Sequence, residues 1–256
     1  MRILALGDVV GRGAIEHLGE KLWQVRSRER IDLTLANGEN ATDVHGLCAA
    51  DAKELLACGV DVITLGNHTY GKRDLYPFLE NETRVIRPAN YPPTAPGNGY
   101  TVQDISGWRV LCINVNGRVF LEPLADPFEA VERILAREEG KFDLAILDVH
   151  AEATSEKLAL ARVFDGRVQV IFGTHTHVPT ADEQILPKGS GYVTDLGMCG
   201  PMDSILGTNA EQVIQKFRTA MPTRFDVAPG PVLAHGVIFD LDPSSKKVTS
   251  LKRITF

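Results

Sequence analysis

Cysteine is scarce in this chain, and the four residues present, Cys48, Cys58, Cys112 and Cys199, form neither a CxxC pair nor a crowded framework. That spacing argues against a disulfide scaffold and a thiolate metal cluster and implies reduced, mostly buried thiols. Long apolar runs are missing too: no stretch approaches the roughly 18 consecutive residues of a membrane span. The N-terminus passes directly from Met1-Arg2 into a strand-like run ending at Asp8, so reading it as a cleaved leader would remove a candidate ligand. The expectation is a cytoplasmic protein with no membrane partner. Positive charge is in deficit, with 27 Lys and Arg against 33 Asp and Glu and a formal net charge of −6. A broad grip on long nucleic acid needs clustered Lys and Arg and is not expected. A small phosphate ester remains compatible, because local charge at a metal site can oppose the net charge. No repeat, low-complexity tract or composition shift divides the 256 residues, so residues 1–256 read as one domain.

Short apolar runs alternate with helical patterns from Arg2 to about Phe172, the signature of an α/β arrangement. Helices are expected over Ala49 to Gly59, Asp126 to Gly140, Thr154 to Phe164 and Ala210 to Ala220. In the second of these, Asp126 can cap, Pro127 suits the first turn, and Phe128, Val131, Ile134 and Leu135 recur at helical spacing. The remaining stretches look more β-like. Tyr100 to Ile105 and Trp108 to Asn114 read as a hairpin turning at Ser106-Gly107, and Val232 to Leu241 pairs similarly with Val248 to Phe256. Thr180 to Pro231 is rich in Gly and Pro and reads as an insertion. Hairpins among βαβ units predict an α/β fold of two packed mixed β-sheets flanked by helices.

The chemistry gathers at strand ends. Five apolar runs finish in metal-competent side chains: Ile3 to Asp8, Leu33 to Asn40, Val62 to His68, Leu144 to His150, and Val168 to Phe172 followed by Gly173-Thr174-His175-Thr176-His177. If these strands share one sheet, their carboxyl ends form one rim, where open α/β sheets usually hold ligands. Asp8 can stand free on a turn loosened by Gly7, Gly11 and Gly13, which match neither a dinucleotide fingerprint nor a P-loop. Asp8 and Glu39 offer hard oxygen donors, Asn67 a neutral oxygen, and His150, His175 and His177 nitrogens. Two divalent ions held by two carboxylates keep residual positive charge, which suits a phosphate ester whose transition state gains negative charge.

Gly7-Asp8, Gly38-Glu39-Asn40, Gly66-Asn67-His68, the strand-end His150 and Gly173 to His177 together resemble the calcineurin-like metallophosphoesterases, and specifically their YmdB-like branch. The resemblance implies an αββα sandwich with a dinuclear site. Asp8, Glu39, Asn40 and His177 would hold one metal; Glu39, Asn67, His150 and His175 would hold the other, with Glu39 bridging. Two departures from the commoner superfamily pattern, Val10 in place of a histidine and Glu39 in place of an aspartate, are shared by the YmdB-like branch, with Asn40 replacing the missing histidine. Thr69 follows His68 where the wider motif often has an orienting acid, so Thr69 and His45 are candidates for contact with substrate or ligand side chains. His17 reads as lying in a helix and His235 in a strand, each structural.

Implied activity is hydrolysis of small nucleotide phosphodiesters, with 2′,3′-cyclic nucleotides favoured by the resemblance. A metal-bridging hydroxide would attack phosphorus, and His68 would protonate the leaving oxygen. Phosphomonoesterase or nucleotidase action is the alternative within hydrolysis; a metal- or nucleotide-sensing regulator with little turnover is the alternative outside it. Nitrogen and oxygen donors suit Fe, Mn or Zn, and the resemblance leans to iron or manganese. No motif encodes a homo-oligomer, and that question stays open, as does the role of Asp195 to Asp203.

Overall fold

The computed structural model describes Met1–Phe256. Its strands are β1 (Arg2–Val10), β2 (Leu33–Asn40), β3 (Val62–Thr64), β4 (Val85–Ile86), β5 (Tyr100–Ile105), β6 (Trp108–Asn116), β7 (Leu144–His150), β8 (Val170–Thr174), β9 (Gln184–Ile185), β10 (Gly191–Val193), β11 (Met198–Pro201), β12 (Val232–Leu241) and β13 (Val248–Thr255). The helices are α1 (Gly11–Glu29), α2 (Ala49–Ala57), α3 (Leu75–Leu79), α4 (Pro127–Arg137), α5 (Thr154–Phe164) and α6 (Ala210–Thr219).

Seven strands form one sheet in the order β13-β12-β11-β1-β2-β3-β4, and six form the other in the order β5-β6-β7-β8-β10-β9. The period-two alternation of side chains explains why they stack. Ile3, Ala5, Leu33 and Leu35 leave one face of the first sheet and pack between the sheets with Val110, Cys112, Ile146 and Val170 of the second. Leu4 and Leu6 leave the opposite face and meet Ile15, Leu18 and Leu22 of α1 and Leu55 of α2. On the far side, Leu111, Ile113 and Leu147 meet Ile134 of α4 and Leu160 and Phe164 of α5. Three apolar layers separate four layers of structure, the αββα sandwich.

Both hairpins form as read: β5 pairs antiparallel with β6 and β12 with β13. Asp126 caps α4, its carboxylate accepting the amides of Phe128 and Glu129. Three readings need correction. Residues 11–29, given no range among the expected helices although His17 reads as helical, are the longest helix: Ala14, Ile15, Leu18, Leu22 and Val25 carry the helical period. Gly11, at φ 74°, makes the abrupt passage from β1 into α1 and does not open a loop. Asp8 therefore lies inside β1 and is fully buried, not on a free turn. Finally, the functional strand ends come from two sheets. β1, β2 and β3 are parallel neighbours in the first, and β7 and β8 are parallel neighbours in the second. Face-to-face packing brings both sets of carboxyl ends to a common rim.

Candidate metal centre

Glu39, near the end of β2, is buried beside His150, the last residue of β7, with Oε1 2.9 Å from Nε2. The same His150 nitrogen lies 3.1 Å from Asn67 Oδ1 and 3.1 Å from His175 Nδ1. Glu39, His150 and His175 thus converge ligand atoms within 4.8 Å of one another. Asp8 approaches from β1, with Oδ1 3.8 Å from His177 Nε2 and 3.9 Å from His150 Nδ1. Asn40, next to Glu39 in the chain, is the last residue of β2.

Each histidine commits one ring nitrogen to the protein and offers the other to this cluster, the usual way a metal-binding imidazole is oriented. Thr174 Oγ1 donates to Asp148 Oδ1 at 2.8 Å, so its oxygen accepts from His150 Nδ1 at 2.9 Å and leaves Nε2 facing Glu39. His175 Nε2 faces Glu152 Oε2 at 3.1 Å, leaving Nδ1 for the cluster. His177 Nδ1 donates to the carbonyl of Leu206 at 2.9 Å, leaving Nε2 toward Asp8.

Several observations fit a cation among these donors. Asp8 Oδ1 and Asn40 Oδ1 are buried without a hydrogen-bond partner, although their sister atoms are used: Asp8 Oδ2 accepts His175 N–H and Asn40 Nδ2 donates to Val44 O. Buried acceptors left alone cost free energy, and a bound cation removes that cost. Gly66 lets the Asn67 turn approach so closely that an added Cβ would stand 2.2 Å from His150 Nε2 and 2.4 Å from Glu39 Oε2. Charges respond accordingly. Burial opposes ionisation of Glu39, but His150 and His68 outweigh it and pull its pKa down to about 2. Burial also opposes protonation of His150, yet Glu39, Asp8 and Asp148 push it up to about 9. Asp8 is raised by burial, and His175 is lowered to about 3 by burial and the neighbouring His150. In the protein alone, these carboxylates favour the protonated form of His150.

The turn after β8 is backed by a buried ion pair that sequence reasoning did not find. His175 and His177 have φ of 98° and 62°, left-handed values that cost a non-glycine residue about 1–3 kcal/mol each. Behind them Lys157 Nζ, fully buried on α5, donates to Thr174 O at 2.8 Å and to Asp195 Oδ2 at 2.7 Å. Asp195 also accepts the amides of Thr176 and Gly197, and Gly197 O accepts Asp8 N–H. One carboxylate therefore ties the histidine turn to β1.

His68 stands next to the cluster, its amide donating to Glu39 Oε2 at 2.8 Å and its Nε2 lying 3.2 Å from Asn67 Nδ2. Burial lowers its pKa. The exposed His45 meets it edge-on, ring centroids 4.3 Å apart. Thr69 is fully buried and donates to Gly66 O at 2.6 Å, bracing the turn that carries Asn67. His17 bonds the carbonyl of Phe256, and His235 lies near Thr255 in β12; both stand apart from the cluster. The cysteines are free, and no helix is long and apolar enough to cross a membrane.

A family model described as YmdB-like protein matches residues 4–254. The 2′,3′-cyclic-nucleotide 2′-phosphodiesterase of Bacillus subtilis is 43% identical over 254 residues, spanning 99% of this chain and 96% of that protein. Two crystal structures superpose with TM-scores of 0.94. One, a hypothetical protein from Thermus thermophilus, is 41% identical and the match covers 100% of this chain and 99% of that one. The other, a novel phosphatase from Mycoplasma pneumoniae, is 36% identical with coverage of 100% and 93%. Similarity of this strength along the whole sandwich settles the family: the chain is a member of the YmdB-like metallophosphoesterases, phosphoric ester hydrolases by class.

Proposed function

We propose that the chain is a dinuclear phosphodiesterase acting on small nucleotide phosphodiesters, 2′,3′-cyclic nucleotides foremost. The observation that carries this reading is the convergence of Glu39, Asn67, His150 and His175 beside the unpartnered Asp8 and Asn40 oxygens, with His68 at the edge. Asp8, Asn40, His177 and Glu39 would hold one ion, and Glu39, Asn67, His150 and His175 the other. Mixed nitrogen and oxygen donors favour Fe or Mn and admit Zn. When bound, such ions lower the pKa of water and neutralise charge developing on phosphoryl oxygens.

The protein's own groups do the rest. Asn67 Nδ2 against His68 Nε2 leaves Nδ1 to deliver a proton to the leaving oxygen. Beside His45, Arg12, Lys72 and Phe225 line a cleft of about 420 Å3, a volume suited to one nucleotide. Arg12 is already paired with Glu54 and Lys72 with Asp43, and the third cation, the exposed Arg224, lies 3.7 Å from Asp226, which suits a singly charged cyclic diester better than a polyanion. The chemistry named for the Bacillus subtilis relative agrees with this choice. Unpaired cysteines agree with work in the reducing cytoplasm.

The test compares 2′,3′-cyclic AMP, bis-p-nitrophenyl phosphate and p-nitrophenyl phosphate as substrates for wild type and His68→Ala. Diester turnover that falls about 10²–10⁴-fold in the variant, at unchanged metal content, is expected. Turnover of the monoester alone would reassign the chain as a phosphatase, and equal turnover per metal in the variant would remove His68 from the reaction.

A further inference from the structure

A second cleft, of about 700 Å3, lies between the loop joining β4 to β5, residues Pro123 to Ala125 and one face of α4; it is open to solvent and mainly apolar, and none of the candidate metal ligands lines it. Arg87 does. It is 6% exposed, yet its guanidinium meets only carbonyls, Pro88 O at 2.9 Å and Ala95 O at 3.5 Å, and its Nε has no partner. Glu80 attracts it from beyond contact distance while its own carboxylate accepts the amide of Gly97. Buried charge is costly unless paired, so an arginine placed this way lacks an anion.

Two more arginines line the same cavity. Arg133 and Arg137 are neighbours one turn apart on α4, where like charges repel. Arg137 has only a 3.7 Å contact with Glu138, whose carboxylate is also engaged by the hydroxyl of Tyr100 at 2.8 Å and by Lys141. Three guanidinium groups thus line one cavity, one of them buried, and a guanidinium presents forked donors that match phosphate oxygens. Tyr91 and Tyr100 add aromatic surface to the lining, and the volume lies within the range of small-ligand sites.

We infer that this cavity binds a phosphate-bearing ligand of nucleotide size, separate from the catalytic centre, with Arg87, Arg133 and Arg137 on the phosphate and the tyrosines against the ring. The inference is independent of the catalytic reading. It is tested by equilibrium dialysis of 5′-AMP against the full-length, metal-loaded protein, its Arg133→Gln/Arg137→Gln variant and its Arg87→Met variant. The two exposed arginines on α4 can be changed without disturbing the core, which guards against a folding artefact in Arg87→Met. Wild type should show an AMP site that is weakened about tenfold or more in both variants, while kcat/KM for bis-p-nitrophenyl phosphate is retained. Adenosine, lacking phosphate, should not compete for it. Superimposable AMP isotherms for wild type and the double variant would overturn the inference. So would loss of AMP binding in step with loss of turnover, which would locate the nucleotide in the catalytic cleft.

Discussion

Replacing Lys157 with methionine isolates the support of the histidine turn. The substitution keeps the length and apolar stem of the side chain but removes the ammonium that donates to Thr174 O and Asp195 Oδ2. Both partners of the pair are fully buried, so Asp195 is left with two backbone amides and no countercharge. Removing one member of a buried pair costs about 3–5 kcal/mol. Part of that loss can be recovered by relaxing the left-handed His175 and His177, whose strain is about 1–3 kcal/mol per residue. The recovery has a consequence: a relaxed turn no longer aims the two imidazoles at Glu39 and Asp8. Urea unfolding of metal-free protein should therefore show a loss of about 2–4 kcal/mol, the pair's cost less about 1 kcal/mol if one of the two histidines relaxes. Metal affinity should fall about 10–100-fold, the range for disturbed support of a ligand. Asp195→Asn should lower affinity in the same direction. A Lys157→Met protein that loses under about 1 kcal/mol and binds metal as tightly as wild type would refute the reasoning.

Gly66→Ala inserts a methyl group 2.2 Å from His150 Nε2, so purified protein should carry less metal by elemental analysis and turn over diester poorly; a full metal complement would refute the close-approach role. His150 gives the pH dependence. Its pKa in the metal-free fold is raised from 6.5 to about 9, so its contribution to stability is fully present below pH 6.5 and is lost as pH rises through about 9. Unfolding of metal-free protein across that window should show the decline, and calorimetry in buffers of different ionisation enthalpy should show proton release when metal binds near neutrality. His68→Ala should separate chemistry from metal binding, with turnover lost and metal retained.

Much of this was legible in the chain because the strands are short apolar runs that stop at chemical residues. Ile3 to Leu6 and Leu144 to Leu147 announce buried strands, with Asp8 following just beyond the first apolar run, inside β1, and His150 at the end of β7. Both hairpins and the cap of α4 were equally plain, since Ser106-Gly107 and Asp126-Pro127 act through local backbone preference. The start of α1 is harder to read, because the glycines at 11 and 13 loosen the chain after Asp8 and the Ile15, Leu18, Leu22 period begins only after them. The supports of the site lay further from view. Lys157 looks like an ordinary polar position on α5, and nothing local connects it to Asp195, 38 residues away. Glu152 and the Leu206 carbonyl reach their histidines through tertiary packing alone. Arg87 was silent for the same reason: its burial, not its identity, distinguishes it.

The most direct measurement is a titration of metal-free protein with Mn or Fe, following bound metal by elemental analysis and hydrolysis of 2′,3′-cyclic AMP in the same samples. The account predicts that turnover rises with occupancy and levels off when two ions are bound per chain. Saturation without diester hydrolysis, or full hydrolysis with no metal bound, would contradict it.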